Sequence, residues 1–412
     1  MVFSSTVFLF LFLPVVIAVY YNPFVKKRGF RNIVLLLASL FFYGWGEPVF
    51  VFLMMLSIIV NWAFGLMVDG MAKKENRLGM KLGMILSVVY NLGLMFVFKY
   101  LTFVTKNISY LLHNDSIVVN IALPIGISFF TFQLMSYVFD VYYGTAKVQK
   151  NLLYVGLYVS MFPQLIAGPI VRYETVADEI VNRVENRKDF AEGFGRFVVG
   201  LGKKILISNY VGKIADIAFA TEGGMSVAMA WLGAIAYTLQ IYFDFSGYSD
   251  MAIGLGRMFG FHFLENFNFP YVSKSITEFW RRWHITLSTW FRDYVYIPLG
   301  GNRVSKGRHI WNIFVVWFLT GVWHGANWTF ICWGLLYFVL LMFEKLTGFH
   351  KKNGWYMHIY TMSFVILGWV LFRADSITAA GQYIGNMFGA GATGFIDATF
   401  IDCVKNSAVI FV

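Results

Sequence analysis

The sequence predicts an all-α polytopic membrane protein, and three observations carry that expectation. Of 412 residues, 58% are hydrophobic and only 13% charged, where soluble domains carry roughly 25% charged residues. Apolar runs long enough for a helix to cross the hydrocarbon recur along the chain. The basic residues lie in short turns between those runs, so the net charge of +11 reads as positive-inside bias, and no nucleic-acid partner is expected. A single domain spanning residues 1–412, with about ten or eleven spans, follows from the run lengths. The two cysteines, Cys332 and Cys403, give neither a disulfide framework nor a metal-ligand spacing and read as packing residues.

Residues 2–20 form an apolar run with no Lys or Arg before it and Lys26, Lys27, Arg28 and Arg31 after it. That is the reverse of a cleavable signal peptide, so a retained first helix with its N-terminus outside is expected. A second span, about 32 to 44, closes at the uncharged Gly44–Pro48 turn, and a third runs to Val68. Lys73, Lys74, Arg77 and Lys81 then mark a cytoplasmic loop. A fourth span, from Leu82 to about Tyr100, leads to an outside stretch in which His113 is solvated. The helix that Pro124 opens carries Gln133, Tyr137 and Asp140, too many polar groups for a lipid-facing surface, so they face a cavity or other helices.

Residues 151–167 are apolar, but the charged run from Arg172 to Lys188 would lie outside if they crossed. A re-entrant element ending at Gly168-Pro169 is expected instead. Helical regions at about 190–220 and 225–258 follow, the second carrying Asp244 and Asp250 in DFSGYSD. Paired carboxylates in an apolar run are either glue between helices or the lining of a reaction path.

The stretch Asn266–Asn302, NFNFPYVSKSITEFWRRWHITLSTWFRDYVYIPLGGN, is neither a plain span nor a plain loop. At helical spacing Trp280, Trp283, His284, Leu287, Trp290, Phe291 and Tyr294 share one stripe, while Arg281, Ser288 and Arg292 share another. An amphipathic helix at the membrane–water boundary is expected, with His284 on its apolar side. His324 follows in GVWHGANW, inside an apolar region running from Trp311 to Phe343. At 1.5 Å per residue it lies roughly 20 Å along the helix from the basic turn at Arg303 to Arg308, near mid-bilayer. A titratable group at that depth is a functional candidate by default; a histidine bonded to a neighbouring carbonyl is the plainer reading. A last span at about 356–372 precedes a terminal apolar run, AVIFV.

The 266–302 stretch followed by VWHGANWTFICWGLL resembles the membrane-bound O-acyltransferase family, and within it the membrane subunits of alginate O-acetylation. MVFSSTVFLFLFLP, LPIGISFFTFQLMSYVFDVYYG, FPQLIAGPIVRY and DFSGYSDMAIGLG fit the same pattern, so the likeness covers nearly the whole chain. Tyr143 stands where such proteins often carry Arg, and Tyr337-Phe338 where His-Gly is common. The resemblance implies a helical bundle around a tunnel, in a bacterial inner membrane, with acetyl-coenzyme A as donor and no covalently bound cofactor. It also implies an extracytoplasmic relay protein with a serine hydrolase-like domain and a cell-surface polysaccharide as final acceptor. Members usually continue for another helix beyond the AVIFV run, so a longer chain is expected.

Moving an acyl group from a thioester to a hydroxyl needs a base, a group that holds the carbonyl and a dry cavity. His324 is the expected base, with His284 at the cytoplasmic mouth of the tunnel. Asn327 and Trp328 are expected to orient the ring or the carbonyl, and Lys274, Arg281, Arg282 and Arg292 to cradle the donor's phosphates. The chain contains no GxSxG, HExxH or P-loop. Two alternatives stand beside this reading: D-alanyl transfer to teichoic acid, and a transporter or channel with a His/Asp proton relay.

Overall fold

The computed structural model describes residues 2–411 apart from 26, 166, 222 and 223. Lys26, Ile166 and Val412, which belong to the first basic loop, the re-entrant stretch and the terminal run expected above, therefore lie outside the described residues. Among the described residues the regular structure is helical throughout. Among the described residues five helices are long and apolar enough to cross a membrane, where the run lengths lead to an expectation of about ten or eleven spans: Arg28–Gly46, Phe50–Lys73, Arg77–Leu112, Trp328–Thr347 and Trp355–Arg373. The chain divides into two compact units, residues 1–198 with 249–265, and residues 199–248 with 266–412.

In the first unit many of the buried polar residues pair with one another, although the side-chain amide of the buried Gln133 has no hydrogen-bond partner among the described residues. Asn61 Oδ1 on one span accepts hydrogen bonds from Ser87 Oγ and Asn91 Nδ2 on the next, both at 2.7 Å. Gln133, Tyr137 and Asp140 are all buried, and Asp140 Oδ2 accepts from the backbone N–H of Glu174 at 2.8 Å. The apolar stretch after Asn151 does not cross: the helix Leu152–Ser160 stops at Met161 and only the short turn Phe162–Leu165 follows. Nine residues reach only about 14 Å. Arg28, Arg31 and the buried Arg183 converge on Glu185. Asp250 is paired with Arg196, at 2.9 Å.

The second unit is built on a hairpin of two helices, Lys306–His324 and Trp328–Thr347. They cross where both present glycine. A Cβ on Gly334 would stand 2.5 Å from the Trp317 carbonyl oxygen, and one on Gly321 would stand 2.5 Å from that of Phe330. Only small residues permit backbones this close. Around the hairpin lies a core of aromatic rings that includes Phe279, Trp280, Trp283, Trp333, Tyr337 and Trp369.

Candidate functional site

The WRRWH stretch does not form one amphipathic helix. It forms two short ones, Ile276–Arg282 and Ile285–Phe291, broken at His284, whose φ of 45° places it in the left-handed region. The break costs backbone hydrogen bonds, and the segment before it supplies them. Asn268 N–H donates to the Arg282 carbonyl and Ile285 N–H to the Asn266 carbonyl, both at 2.9 Å. The two faces nevertheless fall as the spacing predicts. Trp280, Trp283, His284, Leu287, Trp290 and Phe291 are buried, while Arg281, Ser288 and Arg292 are exposed. The first helix is also held from outside: the buried Glu344 carboxylate accepts from the N–H groups of Ile276 and Thr277, at 2.7 and 2.9 Å. That places a negative group at a helix N-terminus, where the backbone donors lack intrahelical partners.

The tautomer of His284 follows from the bonds around Asn266. Asn266 Oδ1 lies 3.3 Å from the Thr286 N–H and 2.8 Å from Thr286 Oγ1. An amide N–H can only donate, so the Asn266 atom it meets is the oxygen. The same oxygen lies 3.0 Å from His284 Nδ1, so Nδ1 carries the proton and Nε2 presents a bare lone pair. Nε2 is buried and has no hydrogen-bond partner among the described residues. The ring packs edge-on against Phe245 and faces Trp323, with centroids 4.7 and 6.1 Å away.

Burial alone pushes the His284 imidazole down from 6.5 to about 3. The unfolded chain therefore binds a proton below about pH 6.5 that the folded chain refuses. The stability tied to His284 is complete above that value and is lost as the pH falls through it, at up to about 1.4 kcal/mol per pH unit. His284→Gln should flatten the acid side of the thermal-stability profile by up to that slope. An acid limb identical to that of the unmodified protein would show that water reaches the ring.

His324 is not in the interior of a helix. It is the last residue of Lys306–His324, and the chain turns through Gly325 and Ala326 to Asn327, which caps the next helix. The first helix of the hairpin is 19 residues long, about 28 Å, so His324 stands at its far end from the basic turn. The mid-bilayer placement takes roughly 20 Å for that distance. The imidazole sits in an aromatic box, with ring centroids 5.0 Å from Trp323, 5.0 Å from Trp333 and 5.1 Å from Phe372. Trp323 thus neighbours both histidine rings.

Two cavities lie in the same unit as this box. One, of about 330 Å³, is lined by Thr277, Arg281, Tyr296, Trp317, Lys345 and His350 among others. Lys345 lies about 25 Å along its helix from the hairpin turn, so this cavity is at the hairpin's open, basic end. The other, of about 1290 Å³, is lined by Asp216, Tyr237, Phe330, Phe372, Arg373, Asp375, Gln382 and Asn386 among others. Phe372, which packs on His324, belongs to its wall.

The four candidate donor-binding cations separate clearly. Arg281 lines the smaller cavity and has no ion-pair partner among the described residues. Arg282 is tied to Glu278 at 2.8 Å and to the Asn268 carbonyl at 3.1 Å, Arg292 to Asp293 at 2.7 Å, and Lys274 to Asn353 at 3.3 Å. Asp244 is paired with Lys204 and bonded to Ser208, and Asp250 belongs to the other unit. Asn327 caps its helix through Thr329 N–H and holds the Asp375 carbonyl at 2.9 Å. Trp328 is half-exposed at the start of that helix. Sequence reasoning missed Lys345 and His350, which only the fold brings beside Arg281. It also missed Asn266, although an Asn upstream of a buried His is a visible signal. Among the described residues no cluster of His, Cys, Asp and Glu could hold a metal ion.

A helical membrane chain with one fully buried and one half-buried histidine, and with a cationic cavity and a larger polar one in the same unit, fits a protein that works on a substrate inside the bilayer. The chain belongs to the membrane-bound O-acyltransferase family, whose profile matches residues 147–380. It is an O-acyltransferase and a multi-pass membrane protein of the cell envelope. It is 44% identical over 400 residues to a probable alginate O-acetylase of Pseudomonas syringae, an alignment covering 95% of this chain and 76% of that one. It is 35% identical over 427 residues to a peptidoglycan O-acetyltransferase of Helicobacter pylori, covering 94% and 80%. A teichoic acid D-alanyltransferase of Bacillus subtilis is 30% identical over 272 residues, covering 60% and 68%.

Proposed function

We propose that this chain takes an acetyl group from cytoplasmic acetyl-coenzyme A and passes it through the inner membrane of a bacterium to an extracytoplasmic hydroxyl, for O-acetylation of a cell-surface polysaccharide. The observation that carries the reading is the position of His324, in an aromatic box whose Phe372 also walls a large polar cavity, on a helix hairpin whose Lys345 lines a small cation-lined one. A phosphate-bearing donor suits the first cavity, because Arg281 and Lys345 offer charge-assisted hydrogen bonds. A hydroxyl-bearing acceptor suits the second, whose wall mixes carboxylates and amides with Tyr237, Phe330 and Phe372. The wall of indoles around His324 keeps competing water from the thioester. The acetyl group reaches the polymer through a relay protein bearing a serine hydrolase-like domain. Acetyl rather than D-alanyl transfer is supported by the match to O-acetylating relatives along 95% of the chain.

The donor half of this reading is testable by titrating coenzyme A into the purified, detergent-solubilised protein. Arg281→Gln combined with Lys345→Gln should weaken binding by about 10²–10⁴-fold, since each of the two lost bonds to a charged group is worth ~1.5–3 kcal/mol. Arg282→Gln should change it by less than about two-fold, because that guanidinium is already occupied by Glu278 and Asn268. Equal affinity in the double variant and the unmodified protein would place the donor elsewhere. Transfer from a D-alanyl carrier protein, with none from acetyl-coenzyme A, would replace the acetyl reading.

A further inference from the structure

Trp333 is fully buried, and its indole N–H has no hydrogen-bond partner among the described residues. Its ring meets the His324 imidazole nearly at right angles, with centroids 5.0 Å apart and planes 80° apart. It also touches one ring from the wall of each cavity, Phe372 at 5.2 Å and Trp317 at 6.3 Å. An indole N–H can donate but never accept. Whatever completes this site therefore brings an acceptor. Tyr337 also buries an unmatched hydroxyl, but that oxygen lies over Gly368, 2.5 Å from where a Cβ would stand. Trp333 is the fully buried donor set against the candidate base, where the Trp323 ring lies equally close.

We propose that the Trp333 indole N–H holds the thioester carbonyl oxygen of the acyl donor and stabilises the negative charge that develops on it. The inference rests on the reading of His324 as general base. The acceptor hydroxyl oxygen forms a bond to the carbonyl carbon as its proton passes to the unprotonated nitrogen of His324. The C=O π pair moves onto the oxygen, which the indole N–H holds. That pair then re-forms the carbonyl as the C–S bond breaks, and the sulfur departs with the bonding electrons and takes the proton back from the imidazolium. An ester and a free thiol result, and no oxidant or reductant is consumed. A carbonyl held at the imidazole lies beside the indole, because the two rings are in contact. In a site closed to water a donor already in place does not have to reorganise as the charge appears.

The test is steady-state acetyl transfer by the purified full chain in lipid vesicles, with acetyl-coenzyme A as donor. Trp333→Phe removes the N–H together with one of the two fused rings and its volume. Its kcat should fall by about 10²–10³-fold, the loss typical of one such donor, with the donor KM changed by less than about two-fold. Trp333→His returns an N–H on a smaller ring and should recover part of the loss. Equal losses in the two variants would mean that lost packing is responsible and would overturn the proposal. So would a normal kcat in Trp333→Phe, a rise in KM alone, or activity that merely follows membrane abundance. His324→Gln measured in parallel separates the two ideas. If it is inactive while Trp333→Phe is normal, only the indole's role fails; if it is active, the base assignment fails and takes the indole's role with it.

Discussion

His324→Gln should lower acetyl transfer by at least about 10²–10⁴-fold, the contribution of a positioned general base, while leaving the protein in the membrane at normal abundance. Gln is a sharper substitution than Ala, because it retains a hydrogen-bonding side chain of similar reach and loses only the ability to accept a proton near neutral pH. The box around position 324 is made of Trp323, Trp333 and Phe372, none of which requires a charge there. The hairpin turn is fixed independently, by the Asn327 cap and its bond to Asp375. Acetyl release from the isolated polymer measures the effect, with immunodetection of the membrane fraction beside it. Near-normal acetylation in the Gln variant would return His324 to the class of histidines that serve only packing.

Gly334→Ala should be nearly as damaging, although it touches no substrate. The added Cβ would lie 2.5 Å from the Trp317 carbonyl oxygen and 3.1 Å from the Gly321 Cα. Both obstacles are backbone and cannot rotate away, so the two helices must separate, at a cost of about 1–3 kcal/mol. His324 is three residues beyond Gly321, so the separation shifts the imidazole relative to the rest of the site. A displacement of about 1 Å is enough to cost ~10²-fold in rate. Gly307→Ala is the matched comparison: it lies on the same helix as His324, but a Cβ there meets nothing within 4 Å, so it should be neutral or slightly stabilising. Thermal unfolding in detergent and transfer assays on both variants decide the matter. If both alanines behave alike, the close crossing does not position His324.

Much of the fold was legible because hydrocarbon thickness and helical rise leave little freedom. The helices Arg28–Gly46, Phe50–Lys73 and Trp355–Arg373 coincide with apolar runs, and the buried Gln133, Tyr137 and Asp140 are where a lipid-facing surface could not hold them. The burial pattern from Trp280 to Phe291 was legible too, because alternation of faces survives a local break. The break itself was hidden. A non-glycine residue in the left-handed region leaves no compositional mark, and His284 satisfies the helical spacing on both sides of it. The site was legible only where one residue announced itself, as His324 did. Lys345 and His350 read as ordinary helix-end cations, Glu344 as a span terminus and Trp333 as a core aromatic. They join the site because one helix folds back along another, which spacing along the sequence does not encode.

The helix Trp328–Thr347 carries Trp333 against His324, Lys345 in the wall of the smaller cavity, and Glu344, whose carboxylate pins the helix bearing Arg281. One rod therefore sets the coordinates of both ends of the site, much as a camshaft fixes the timing of several valves at once. A slide or turn of that rod moves the indole, the ammonium group and the guanidinium together. Substitutions along it should thus be strongly non-additive, since residues that share one rigid support do not fail independently. The donor end and the chemical step, though far apart along the chain, answer to the same displacement.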